Sequence, residues 1–169
     1  MSDYGIKDHF ARLTEYNYWA NEKLSNRILE LDEETILKHA NSSFPSIKET
    51  LLHISDAEQM WLGRVKGNPL DEWPSASFEG TKEILIHHFL TPSISWKRYI
   101  SELDDGGLTQ QFTYQNSKGK EFSNKVADAV TQVMNHSTYH RGQLASIFHQ
   151  LEETNIPQTD FIKYQRDME

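Results

Sequence analysis

An all-α fold, a four-helix bundle with a small hairpin ahead of its last helix, is what this sequence predicts. Three observations carry the prediction. Apolar residues recur every three to four positions over four long stretches, the period of a helix with one buried face. Only one short segment, near residues 112–123, reads as strand. The 169-residue length suits a single domain, 1–169, and 37% apolar with 25% charged residues is a globular composition.

The first helix is expected over Ile6 to Leu31, on Ile6, Phe10, Leu13, Ala20, Leu24, Ile28 and Leu31, with no proline or glycine between them. Trp19 and Asn21 within it could line a site, although rings of that size are more often core. Asp32 to His39 adds a helical turn, and Ala40 to Pro45 reads as a polar loop. Ser46 with Glu49 three residues later is a capping box that opens the second helix. Ile47, Leu51, Ile54, Trp61 and Val65 give its face, and Gly67-Asn68-Pro69 stops it. His53 borders that face, where a lone histidine is usually a hydrogen-bonded core group.

Asn68 to Gly80 is a loop around Pro69, Trp73 and Pro74, long enough to form part of a site rim. The third helix is expected over Thr81 to Leu103, with Ile84, Leu85, Phe89, Ile94, Trp96, Tyr99, Ile100 and Leu103 on its apolar face. Pro92 removes a backbone donor inside it and should kink it. His87 and His88 point about 100° apart, cannot share a site, and read as surface or boundary residues. Asp104-Asp-Gly-Gly closes this helix. Phe112 to Gln115 and Glu121 to Ser123 then flank Asn116 to Lys120 as the hairpin, with Gly119 at its turn. The last helix should span Asn124 to Glu153, capped by Ser123 or Asn124. The tail from Asn155, with Phe161, Ile162 and Tyr164, is expected to pack back over the bundle.

His136 and His140 on the last helix lie one turn apart, one above the other. Two imidazoles so placed on an inward face can grip one divalent metal ion. With 8 His in the chain, about 0.4 such pairs arise by chance. Two core or surface histidines that merely align therefore remain an alternative until a third ligand is found. Bundle cores commonly take ligands from facing helices, and His53 on the second helix fits that geometry. His149, nine residues past His140, is half a turn out of phase.

Composition narrows the chemistry further. The chain has no cysteine, so disulfides and thiolate ligands are excluded and any metal must use nitrogen or oxygen. A net charge of −8 and the lack of a basic cluster argue against nucleic acid. No apolar run approaches the ~20 residues that span a bilayer. Met1 to Gly5 has neither a basic flank nor an apolar run. A cytoplasmic protein without membrane contact is the expectation.

The sequence resembles the DinB family, the DinB/YfiT-like metalloenzymes. Tyr18-Trp19-Ala20-Asn21, Thr50-Leu51-Leu52-His53-Ile54, Asn135 to Leu144 and Pro157 to Ile162 carry the resemblance, in the family's order and over almost the whole chain. The resemblance implies a four-helix bundle, a homodimer and a divalent ion held by three histidines, which fall on His53, His136 and His140. Many relatives have a further histidine where this chain has Gln132, and any role of that residue does not carry over.

Three neutral nitrogen ligands with no evident fourth leave a coordination position open, as catalytic rather than structural zinc sites do. The expected function is a divalent-metal-dependent enzyme acting on a small molecule, either a hydrolase or a low-molecular-weight-thiol S-transferase. A non-catalytic metal- or ligand-binding bundle is the alternative. Zn²⁺ or Ni²⁺ is the expected ion, with iron or manganese also admitted by imidazole. A general base is harder to find. Asp56, Glu58 and Gln143 are near the three histidines in helical phase, but no His-Glu-x-x-His motif is present, and without paired Glu-x-x-His motifs a di-iron site is disfavoured. Gln132 and Gln143 could orient a water or substrate, or be boundary amides. Tyr139 and Arg141 should pack or pair off the metal face.

Overall fold

A computed structural model of the chain describes residues 4–104, 106–116 and 118–168. Met1 to Asp3, Asp105, Ser117 and Glu169, which carry part of the reading of Met1 to Gly5 and of two turn readings, lie outside the described residues. The elements in order are α1 (Ile6–Leu29), α2 (Glu33–Leu37), α3 (Ile47–Val65), α4 (Lys82–Glu102), β1 (Gln111–Gln115), β2 (Glu121–Lys125), α5 (Val126–Gln150) and α6 (Phe161–Met168). Among the described residues no helix is long and apolar enough to cross a membrane.

The four long helices form a ring in which α1 packs on α4 and α5, and α3 packs on the same two. Their apolar stripes meet in two layers. One takes Leu24 and Ile28 of α1, Leu51 and Ile54 of α3, Leu85 and Phe89 of α4, and Leu144 and Phe148 of α5. The other takes Phe10, Leu62, Trp96, Ile100, Val126, Val130 and Val133. Residue order through the layers fixes the helix directions. Helices α1 and α5 run from the second layer to the first, and α3 and α4 run the opposite way. The topology is therefore up-down-down-up, and the α3–α4 connection must travel the length of the bundle. It does so through residues 66–81, which include a 3₁₀ turn at Pro74–Ser77.

Between the layers lies a belt of polar side chains: Asn17, Asn21, Glu58, Ser93, Ser137 and Arg141, none more than 3% exposed. Glu58 accepts hydrogen bonds from Asn17 Nδ2 at 2.7 Å, Ser93 Oγ at 2.8 Å and Ser137 Oγ at 2.9 Å. Arg141 donates to Asn17 Oδ1 at 2.6 Å, Asn21 Oδ1 at 3.0 Å and Thr138 Oγ1 at 2.8 Å. The two asparagines thus bridge a buried cation and a buried carboxylate. Burial pushes the Glu58 carboxyl above and the Arg141 guanidinium below its ordinary value.

Several boundaries differ from expectation for local reasons. Ser123 and Asn124 do not cap α5, because they pair with Thr113 and Phe112 in the hairpin. Lys125 takes the N-cap position, its N–H donating to the Asp128 side chain at 3.0 Å. The helix stops at Gln150 and is followed by Glu152 at φ 60°. Ile6, Ile84 and Ile94 were expected on apolar faces but are 65%, 51% and 51% exposed. On α4 the buried stripe is Leu85, Phe89, Ser93, Trp96 and Ile100, and Ile84 and Ile94 stand about 100° to either side of it. Pro92 does not end α4. The His88 carbonyl, which the proline leaves without its helical donor, accepts Ser55 Oγ from α3 at 3.0 Å. Gly119 sits at φ +73° in the hairpin turn, as its freedom from a Cβ allows. The tail forms α6, whose Tyr164 joins Tyr16, Trp19 and Ala20 in a third apolar cluster. Trp19 is thus a core residue, and Asn21 belongs to the belt.

Candidate metal centre

The two helices that carry the three histidines are set in phase by their own ends and neighbours. Ser46 Oγ accepts the Glu49 N–H at 3.1 Å and starts α3, which puts His53 where α3 meets α5. On α5, His136 and His140 are one turn apart and flank Ser137, which the belt buries. The three imidazoles come together. His136 Nε2 lies 3.1 Å from His53 Nε2 and 3.1 Å from His140 Nε2. One ligating nitrogen from each falls within 4.8 Å of the others.

Their surroundings set their charge and, for His140, the tautomer. The His140 Nδ1 lies 2.7 Å from Gln143 Oε1. A carbonyl oxygen only accepts, so Nδ1 carries the proton and Nε2 presents a lone pair to the trio. Gln143 in turn donates to Ser43 Oγ at 3.3 Å, tying the segment before α3 to α5. Phe44 of that segment stacks on His53, ring centroids 3.9 Å apart, and meets His140 edge-on at 5.5 Å. Burial, reinforced by the neighbouring His140 and His136, pushes His53 down to about 4. Burial and His140 bring His136 to about 4 as well. Burial also lowers His140, against the opposing bond to Gln143. At neutral pH all three are uncharged.

The donor set fits a metal ion. With all three Nε2 atoms unprotonated, as in a ligand set, their lone pairs would repel one another unless a cation lay between them. Two nitrogens each about 2 Å from a tetrahedral ion stand about 3.3 Å apart, and both 3.1 Å separations match that spacing. His136 Nδ1 is buried without a partner among the described residues. No carboxylate joins the group there.

The other sequence candidates have other partners and roles. Glu58 points into the belt. Asp56, 3% exposed, accepts the Ser75 N–H at 2.9 Å and the Ser75 hydroxyl, which pins the long crossover to α3. Gln143 orients a histidine, and Gln132 is exposed. Tyr139 is 64% exposed with its ring edge-on to His140. Arg141 lies off the metal face as expected, paired with Asn17 and Asn21 in the core. His87 and His149 are exposed, and His88 is half-buried away from the trio. Sequence reasoning missed Phe44; its one signal is an aromatic residue inside an otherwise polar loop. Trp73, anticipated as rim, has its ring 6.4 Å from His53. Beside His53 opens a cleft of about 450 Å³.

Comparison with known proteins agrees with this picture. A model of the DinB family matches residues 1–168. The chain is 31% identical to Protein DinB of Bacillus subtilis (strain 168) over 170 residues, covering 97% of this chain and 95% of that one. A crystal structure of a DinB-like protein from Bacillus cereus ATCC 10987 has the same fold, with a TM-score of 0.68 over 88% of this chain and 94% of that one at 17% identity. Matched from end to end by the family pattern, this chain belongs to the DinB family.

Proposed function

We propose that the protein is a divalent-metal-dependent enzyme of small-molecule chemistry, and that of a hydrolase and a low-molecular-weight-thiol S-transferase it is the transferase. The observation that carries the reading is the convergence of three uncharged imidazoles, with His136 Nε2 3.1 Å from the Nε2 of each of the other two and all three ligand atoms within 4.8 Å of one another. A divalent ion there, Zn²⁺ or Ni²⁺ by ligand preference, supplies Lewis acidity that makes a neighbouring water or thiol ionise near neutral pH. The chain's own residues do the rest. Gln143 holds His140 in the tautomer that presents Nε2, and Phe44 covers the outer face of His53. Asp56 fixes the crossover segment that carries Trp73 to the site's edge.

Hydrolysis asks for a base to take the proton of water. The carboxylates in helical phase with the trio are committed to other bonds: Glu58 to Asn17, Ser93 and Ser137, and Asp56 to Ser75. A thiol, with a pKa of about 8.5 in its free state, needs less help, and this favours thiol transfer. The same shortage of a base favours a second reading, a bundle that binds a metal or ligand without turnover.

Elemental analysis of purified protein, paired with a thiol-transfer assay, separates these. About one equivalent of divalent metal is expected in the wild type, with loss of both metal and transfer in His140→Ala. Transfer retained without metal would refute the metal reading; metal without transfer to any electrophile would leave the binding role. The proposal includes a homodimer in the cytoplasm. Light scattering at micromolar concentration should give twice the 19.7 kDa chain mass, and a monomer would count against that part.

A further inference from the structure

The cleft beside His53 has a lining of two kinds. Phe44, Leu52 and Trp73 make it apolar, while Glu49 and Asp56 add two carboxylates, with no lysine or arginine among its described lining residues. Its volume of about 450 Å³ falls within the range of small-molecule sites, about 300–1,000 Å³. Three rings gather at it. Phe44 stacks on the His53 imidazole at 21° with centroids 3.9 Å apart, and the Trp73 ring lies 6.4 Å from it, tilted by 37°. Aromatic faces stack on flat π-systems.

Trp73 is 53% exposed, an indole standing in water beside a site instead of in the core. The backbone that carries it is nevertheless held in place. Its carbonyl accepts the Ala76 N–H at 2.9 Å, and Ser75, two residues on, is pinned to the buried Asp56 by two hydrogen bonds. With that backbone fixed beforehand, less freedom is lost when a ligand arrives than if the whole segment had to order. The charge of the lining sets a second criterion. A bound ion's own charge acts on the group that chelates it. Away from that group, an anionic substituent would meet the exposed Glu49, and behind it the Ser75-bonded Asp56, with no cationic side chain among the described lining residues to offset them, whereas a neutral or cationic substituent would not be repelled.

We propose that this cleft takes an uncharged or cationic small molecule bearing a planar aromatic group, packs that group against Trp73 and Phe44 beside His53, and discriminates against anionic analogues. The inference rests on the metal reading in that it deepens it by naming the electrophile class. The test is calorimetric titration of the Zn²⁺-loaded full chain with three hydroxamates that share one metal-chelating head: acetohydroxamate, benzohydroxamate and 4-carboxybenzohydroxamate. Benzohydroxamate should bind about tenfold more tightly than acetohydroxamate, the gain expected of one stacked ring. The 4-carboxy compound should lose most of that gain. Trp73→Ala should bring the ratio of benzo- to acetohydroxamate affinity close to one, and Trp73→Phe should keep most of it. Because Trp73 is largely exposed, neither change threatens the fold.

Equal affinity for acetohydroxamate and benzohydroxamate would overturn the cleft assignment while leaving the metal reading intact. Tighter binding of the 4-carboxy compound than of benzohydroxamate would overturn the charge criterion. If no hydroxamate binds and no zinc is retained, both readings fall together.

Discussion

At the scale of single residues, the trio makes the stability of the metal-free protein depend on pH in a defined direction. His53 and His136 ordinarily titrate at 6.5 and are pushed to about 4 in the fold. In the unfolded chain each takes up its proton near pH 6.5; in the folded chain each resists until about pH 4. Between those values the unfolded state binds more protons, so acidification favours unfolding. The contribution is fully present above pH 6.5 and is lost progressively toward pH 4. The melting temperature of the chelator-treated protein should fall across that window, and more shallowly in a His53→Ala/His136→Ala variant. An identical slope in that variant would mean that other groups carry the pH dependence. The three histidines were legible because helical phase alone aligns His136 with His140, and the family pattern adds His53. Arg141 and Glu58 were legible only in part. Their phase places them off or near the metal face, but phase does not say how deep a charged side chain lies. That depth comes from Asn17 and Asn21, which sit more than a hundred residues from Arg141 in sequence.

At the scale of elements, the four helices could be read because a 3.6-residue period persists over five or more turns in each. Their ends were less legible, because caps compete with pairing. Ser123 and Asn124 have good capping chemistry, yet the β-ladder with Thr113 and Phe112 claims them. Helix α6 has 8 residues, too few to establish a period. Helix direction was not legible at all, since a crossover as long as residues 66–81 can return a helix either way. Helix α4 offers a prediction at this scale, because its proline is tolerated through a contact from another helix. The His88 carbonyl has Ser55 Oγ where the residue-92 N–H would normally donate. Ser55→Ala should cost about 1 kcal/mol, the worth of one hydrogen bond of this kind. On a Pro92→Ala background the new N–H can reach the same carbonyl, and the cost of Ser55→Ala should largely vanish. A double-mutant cycle in urea measures this coupling. Equal costs on both backgrounds would show that Ser55 does not serve the vacancy left by the proline.

At the scale of the whole molecule, the polar belt is a layer in which all four long helices touch through hydrogen bonds. Two apolar layers close over it, so neither Glu58, at 0% exposure, nor Arg141, at 3%, reaches water. Apolar layers tolerate some sliding of one helix past another, whereas a carboxylate fed by three named donors does not. The belt therefore holds α5 in register against α1, α3 and α4. His136 and His140, on either side of Ser137, inherit that register. The energetic cost of such a design appears when one charge is removed and the other stays buried. Arg141→Ala should destabilise the protein by roughly 3–5 kcal/mol, the usual penalty for an uncompensated buried charge. Glu58→Leu should likewise be costly, since Asn17, Ser93 and Ser137 lose their acceptor. The combined Arg141→Met/Glu58→Leu variant should lose less than the sum of the single changes, because no lone charge remains in the interior. Urea unfolding of the three variants measures this directly. Strict additivity would show that the two ions do not sense each other through Asn17 and Asn21, and the belt would then be a set of separate hydrogen bonds rather than one electrostatic unit spanning the bundle.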